Sequence, residues 1–163
     1  MGFGGWCRGR FDQHCFAWQV VFGRKERKGA KVAKQRSPVD ENEVARQVVD
    51  AAVAIHKALG PGLLESAYVA ALEIECSERG LEFAREIPIR ATYHGKPLGV
   101  SYRADLIVES RLLVEVKSVS ALTPAHAAQT LSYLRLGGLR LGLLINFSAP
   151  LMKHGIKRVA NKL

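Results

Sequence analysis

The chain has 163 residues, of which 48% are apolar and 24% charged, a composition that suits one folded domain and excludes a wholly disordered chain. Its 24 Lys and Arg residues outnumber 15 Asp and Glu, and the resulting net charge of +9 favours an anionic partner. Three cysteines without paired spacing argue against a disulfide framework and a zinc site, and no apolar run is long enough to span a membrane. We therefore expect a cytoplasmic protein with no membrane partner.

Most of the basic charge lies in the first 36 residues. They hold nine basic and two acidic residues, net +7, which leaves a net charge of +2 for the remaining 127. The segment shows neither helical nor strand periodicity, so we predict that residues 1–36 form a basic, disordered N-terminal extension. An arm that grips phosphates and an upstream translation start are the alternatives. The folded domain is expected to comprise residues 37–163.

The first two predicted elements of this domain are helices. Apolar residues recur at helical spacing from Val44 to Leu59, after the capping residues Ser37-Pro38 and before the breaker Gly60-Pro61-Gly62. The second helix has an apolar stripe from Leu64 to Cys76 and ends at Gly80.

Three strands are predicted next. Alternating apolar residues indicate a strand over Ile87–Tyr93, and the turn His94–Pro97 leads into a second strand, Leu98–Glu109. After Ser110-Arg111, a third strand over Leu112–Val119 completes a meander.

The last part of the chain predicts a helix, a strand and a short helix. Thr123-Pro124 is an N-cap with proline at the first helical position, and that helix runs through Leu136. The apolar run Leu139–Phe147 is typical of a buried central strand, and a short basic helix follows from Ser148 to about Asn161. The order ααβββαβα predicts a protein of the α/β class (α+β, because the sheet is mixed). Its four strands are expected to form one mixed sheet flanked by helices.

The predicted hairpin carries the first candidate site. If it turns near Ser110, residues whose numbers sum to about 220 face each other, so Asp105 opposes Glu115 with Cβ atoms about 4.5–5.5 Å apart. Two such carboxylates repel, and Mg²⁺ or Mn²⁺ would relieve the repulsion because hard cations prefer oxygen ligands. Strand alternation places Lys117 beside Glu115, where its ammonium can orient water or stabilise phosphoryl charge. Val116 between them can offer its carbonyl to the metal.

An exposed hairpin face with alternating charges is the alternative for this pattern. The apolar flanks at 106–108 and 112–114 favour a buried hairpin, in which unpaired charges are expensive.

Further candidates lie on the predicted helices. Glu65 opens the second helix, where the helix dipole alone favours a carboxylate and where it could also serve as a metal ligand. Tyr68 lies one turn later on the same face. Gln129 and Tyr133 form a Q-x-x-x-Y pair, one turn apart, that is either an amphipathic detail or a pair that positions substrate.

Several segments resemble the blocks of one family of small bacterial proteins. Gly62-Leu63-Leu64-Glu65-Ser66-Ala67-Tyr68 matches the G-x-x-E-x-x-Y signature that names that family. The other similar segments are Tyr102-Arg103-Ala104-Asp105-Leu106, Val114-Glu115-Val116-Lys117, His126-Ala127-Ala128-Gln129 and Leu144-Ile145-Asn146-Phe147. The resemblance covers about residues 40–163. The GxxExxY family is placed in the PD-(D/E)XK nuclease superfamily, and the Q-x-x-x-Y pair resembles its RecB-like branch. Ala104 stands where the superfamily's name has proline.

This resemblance implies a restriction-endonuclease-like core and a nuclease, dependent on Mg²⁺ or Mn²⁺, that hydrolyses phosphodiester bonds of DNA, with RNA as the other possible substrate. The implied catalytic residues are Glu65, Asp105, Glu115 and Lys117. The implied metal ligands are Asp105, Glu115, Val116 and Glu65, and the implied substrate-positioning residues are Gln129, Tyr133 and Tyr68. The alternative is a non-catalytic module that keeps the nuclease fold and binds nucleic acid or protein, which the small net charge of the domain favours.

Overall fold

The computed structural model of the protein describes residues 40–161. The predicted N-terminal extension, residues 1–36, lies outside the described residues. The elements in chain order are α1 (Glu41–Leu59), α2 (Glu65–Glu78), β1 (Phe83–Tyr93), β2 (Lys96–Val108), β3 (Leu112–Lys117), α3 (Pro124–Gly137), β4 (Leu141–Asn146), α4 (Met152–Gly155) and β5 (Ile156–Ala160). None of the helices in this range is long and apolar enough to cross a membrane.

The described strands form one mixed sheet in the order β1-β2-β3-β4-β5. β3 and β4 run parallel, and every other neighbouring pair is antiparallel. The α/β class, the mixed sheet and the flanking helices are confirmed, and residues 40–161 alone contribute five strands where four were predicted.

The fifth strand corrects the prediction for the end of the chain. The expected basic helix is reduced to the four residues of α4, and Ile156–Ala160 pairs with β4. All six residues of β4 are buried, so the backbone groups on the side away from β3 need a partner that water cannot provide. β5 supplies that partner with a mostly exposed edge strand, whose polar sequence gives little strand signal.

Helices cover the two faces of the sheet. The main core joins buried residues of α1 and α2 to one face of β2, β3 and β4. α3 packs against the other face, where Gly142 lets it come close: a Cβ at Gly142 would lie 3.2 Å from Thr130 Cγ2. Thr123 caps α3 as predicted, accepting a hydrogen bond from the His126 N–H.

β2 leaves β3 partway along its length, and this departure creates the site. The two strands pair only from Leu106↔Val114 to Val108↔Leu112, with residue numbers that sum to 220 as predicted. β2 continues to pair with β1 as far as Tyr93↔Lys96. Glu86, which the same register would place opposite Asp105, has a φ of 52°, and neither residue takes part in the ladder. The hairpin is therefore irregular at Asp105, where β2 and β3 separate.

Candidate active site

A buried ion pair marks the end of β3. Lys117 Nζ donates a hydrogen bond to Glu115 Oε1 at 2.8 Å, which confirms that the two side chains share a face. The Glu115 side chain is only 5% exposed and that of Lys117 16%. The second oxygen, Glu115 Oε2, is buried and has no hydrogen-bond partner. A buried carboxylate oxygen without a donor is costly, so this atom requires a cation or a donor from outside the chain.

Asp105 reaches the same place from β2. Its Oδ2 accepts a hydrogen bond of 2.8 Å from the Val116 N–H, just beyond the last strand pair. The Asp105 side chain thus takes a bond that a backbone carbonyl of β2 would have taken in a continued ladder. This contact fixes the Asp105 carboxylate beside the Glu115–Lys117 pair.

The charges of these groups perturb one another. Burial raises the pKa of Asp105, against the lowering effect of the Val116 hydrogen bond and of Lys117. Burial also raises the pKa of Glu115, which the Lys117 hydrogen bond opposes and the Asp105 charge reinforces. Burial would lower the pKa of Lys117, but the bond and charge of Glu115, with the charges of Glu65 and Asp105, raise it overall. The site therefore holds a firmly protonated lysine between carboxylates that repel.

Glu65 lies at the edge of this group. Its Oε1 accepts a hydrogen bond of 2.9 Å from the Ser118 N–H, immediately after β3. Ser118 Oγ in turn donates to the Leu63 carbonyl at 2.8 Å and lies 2.9 Å from Ser148 Oγ. The side chain of Glu65 is exposed, and its charge acts on Asp105, Glu115 and Lys117. Glu65 is held near the site by Ser118 while remaining accessible from solvent.

Tyr68 lies one turn into α2, is fully buried, and supports the loop at 60–63. Its hydroxyl donates to the Gly60 carbonyl at 2.7 Å and accepts from the Leu63 N–H at 3.1 Å. Its ring stacks on that of Phe147, with centroids 4.3 Å apart. Any influence of Tyr68 on substrate would pass through the loop at 60–63, because the side chain itself has no exposed surface.

Gln129 and Tyr133 form the predicted pair on α3. Gln129 Nε2 donates to the Tyr133 hydroxyl at 2.8 Å, and Gln129 is exposed whereas Tyr133 is buried. Burial raises the pKa of Tyr133, and the Glu115 charge raises it further, which places this ring within electrostatic range of the carboxylates.

Two residues of the site, Ser118 and Asn146, were not among the predicted site residues. Ser118 links Glu65 to the end of β3, and Asn146, at the end of β4, is 2% exposed. Asn146 Oδ1 accepts from the Val119 and Ser148 N–H groups, and its Nδ2 donates to the Val119 carbonyl at 2.7 Å. The available signal was an amide that interrupts an otherwise apolar strand, since a buried amide must satisfy all of its polar atoms.

The donor set fits a hard divalent cation. Asp105 and Glu115 offer carboxylate oxygens, one of them unpartnered, and the charge of Glu65 acts on both. Within residues 40–161, no three acidic, histidine or cysteine side chains lie close enough together to hold a metal ion by themselves. This arrangement suits Mg²⁺, which keeps several waters and binds through one or two carboxylates.

A family model described as the PD-(D/E)XK nuclease superfamily matches residues 42–159. That match does not distinguish the GxxExxY branch, which stays a prediction. No curated protein matches the chain. A solved structure, that of SSO0001, is similar over 92% of this chain and 76% of its own, with 15% sequence identity and a TM-score of 0.47.

Proposed function

The chain belongs to the PD-(D/E)XK nuclease superfamily, and from this premise we propose that it is an active nuclease, dependent on Mg²⁺ or Mn²⁺, that hydrolyses phosphodiester bonds of DNA. Divalent metals typically serve the nucleases of this superfamily. A cytoplasmic location remains a prediction from the cysteine pattern.

One observation carries the proposal. Glu115 is buried, its Oε1 is bonded by Lys117, and its Oε2 has no partner beside a second carboxylate, Asp105. If the Glu115–Lys117 pair served stability alone, apolar side chains of similar volume could replace it at little cost in folding free energy. A metal-assisted hydrolase is instead expected to have a buried carboxylate beside a second one, with only one of its two oxygens hydrogen-bonded within the protein.

Each residue has a distinct task in this proposal. Asp105 and Glu115 would hold the cation, with Glu65 and the Val116 carbonyl as further ligands. The cation, when bound, would polarise a phosphoryl oxygen and lower the pKa of a water ligand. Lys117 would orient the attacking water and stabilise charge on the scissile phosphate. Tyr133 and Gln129 would place the substrate strand, and Tyr68 would fix the loop that precedes Glu65.

The test is cleavage of plasmid and linear DNA by the full chain with Mg²⁺ or Mn²⁺ and with EDTA. The wild type is compared with Asp105→Ala and Lys117→Ala, and with Glu78→Gln, an exposed acid on α2, as the matched control. We expect metal-dependent cleavage by the wild type and the control and a loss of at least about 100-fold in the two site variants. Equal cleavage by all four proteins would indicate a contaminating nuclease. An RNA of matching sequence shows whether DNA is the preferred substrate.

A second candidate is a non-catalytic binding module with the same fold. It is favoured by the net charge of +2 outside residues 1–36, which is small for a protein that tracks phosphates. This candidate predicts nucleic-acid or protein binding that Asp105→Ala leaves unchanged, with no metal-dependent cleavage by any of the proteins above.

A further inference from the structure

A long two-stranded hairpin extends beyond the candidate site. Residues 87–104, here called the hairpin arm, belong to β1 and β2 and pair only with each other, because β3 pairs with β2 no further than Leu106. One side of the arm is covered by α3, where Ile89 and Ala91 are 5% exposed. Much of the rest of the arm is exposed to solvent, including the aromatic side chains of Tyr93 and Tyr102.

Tyr102 connects the arm to the site. It pairs with Ile89 across the hairpin, and its ring centroid lies 5.4 Å from that of Tyr133, with 40° between the planes. Tyr133 is 5% exposed, but Tyr102 is 43% exposed. Since Tyr133 is in turn within range of the Glu115 charge, Tyr102 is the outer, solvent-facing member of an aromatic pair beside the carboxylates.

The charge of the arm favours a polyanion. Residues 87–104 contain Arg90, Lys96 and Arg103 and no acid. Arg90 and Lys96 are exposed, while Arg103 lies 3.8 Å from Glu86 at the base of the arm. Three basic residues and no acid among these 18 residues give the arm a local charge of +3. Basic residues interleaved with exposed aromatic rings are typical of surfaces that bind single-stranded nucleic acid.

We infer that Tyr102 stacks on an unpaired base of the substrate, which makes a single strand, or a duplex with an unpaired end, the preferred substrate class. Base faces inside a duplex are covered by their neighbours, so only an unpaired nucleotide can offer its face to an exposed ring. The inference rests on the proposed nuclease function only in taking the stacked strand to be the one that is cleaved. A protein partner on the arm is the competing occupant, and the charge of the arm argues against it.

The test is binding of fluorescein-labelled oligonucleotides to the full chain, measured by anisotropy in EDTA so that no strand is cut. The probes are a single-stranded oligonucleotide and a blunt-ended duplex of the same strand annealed to its complement, which has no unpaired base. The variants are Tyr102→Ala, Tyr102→Phe, which keeps the ring, and Ile74→Ala, an exposed apolar residue on α2 outside the arm, as the control. Melting curves check that all of them fold.

We expect Tyr102→Ala to weaken single-strand binding by about tenfold or more, the effect of losing one stacked base. Tyr102→Phe and Ile74→Ala should stay within about twofold of the wild type, and the duplex affinity should not change. Equal loss on both probes, no loss on either, or no binding of either probe by the wild type would each overturn the inference.

Cleavage in Mn²⁺ separates this inference from the proposed function. Binding that depends on Tyr102 without any cleavage would refute the nuclease proposal and leave base stacking supported. Cleavage by a wild type whose single-strand affinity does not respond to Tyr102→Ala would refute base stacking alone.

Discussion

Lys117→Met tests the electrostatic core of the site, because it removes the ammonium and keeps most of the side-chain volume. The change leaves Glu115, 5% exposed, with neither oxygen partnered and with Asp105 nearby. Breaking a buried ion pair by removing one partner costs about 3–5 kcal/mol. Because Lys117 is 16% exposed, we expect a loss in the lower part of that range, about 3 kcal/mol of unfolding free energy.

The assay is urea unfolding near neutral pH in EDTA. At about 4 °C per kcal/mol for a domain of this size, the same loss would lower the melting temperature by about 12 °C. The double variant Glu115→Gln/Lys117→Met should recover most of the stability, since it removes the uncompensated charge together with its partner. Arg46→Met is the control: Arg46 pairs with Glu43 through side chains that are 61% and 43% exposed, so its loss should lower the stability much less than the loss of Lys117 does.

Two results would contradict the prediction that Lys117→Met destabilises the protein by exposing an unpaired buried charge on Glu115. One is a Lys117→Met variant that loses no more stability than Arg46→Met, because the pair would then behave as a solvated one. The other is a double variant no more stable than Lys117→Met, because the buried Glu115 charge would then not be the source of the loss.

Three further predictions concern the surroundings of the site. Asp105→Asn should raise the melting temperature of the metal-free protein at neutral pH, and a lower melting temperature would contradict this prediction. The reason is that burial raises the pKa of Asp105. The contribution of Asp105 to stability is therefore greatest below the ordinary carboxyl pKa and is lost as the pH rises through the raised pKa. Tyr68→Phe should lower the free energy of unfolding, measured in urea, by about 1–2 kcal/mol and should reduce cleavage. It removes the hydrogen bonds to Gly60 and Leu63 that hold the loop before Glu65. Tyr93→Phe, an exposed control, should change neither property. In a Cys7→Ser/Cys15→Ser background, Cys76 should react with a thiol reagent only after denaturation. The reason is that Cys76 is fully buried and that burial raises its pKa to about 11. Rapid reaction of the native protein would show that the core around Cys76 opens.

The sequence predicted the parts of this fold that depend on local pattern. The register of β2 and β3 followed from one turn near Ser110 and the apolar runs on each side of it. The spacing of Glu115 and Lys117 placed them on one face because alternation along a strand is a purely local rule.

What the sequence did not predict depends on partners that are distant along the chain. β5 is a strand because the buried β4 needs hydrogen bonds on its outer side, not because Ile156–Ala160 has a strand pattern. Asp105 does not simply face Glu115 across the ladder; it bonds the Val116 N–H at the point where β2 leaves β3. The contact between Glu65 and Ser118 spans 53 residues, which no local periodicity can reveal.

The proposed nuclease function requires that the unpartnered oxygen of Glu115 and the carboxylate of Asp105 together bind a divalent cation. Calorimetric titration of the full chain with Mn²⁺ tests it most directly, with Glu115→Gln as the site variant and Glu78→Gln as the exposed control. We expect saturable binding by the wild type and by Glu78→Gln, and no binding by Glu115→Gln. Binding of equal strength in all three proteins, or no binding by the wild type even with DNA present, would contradict it.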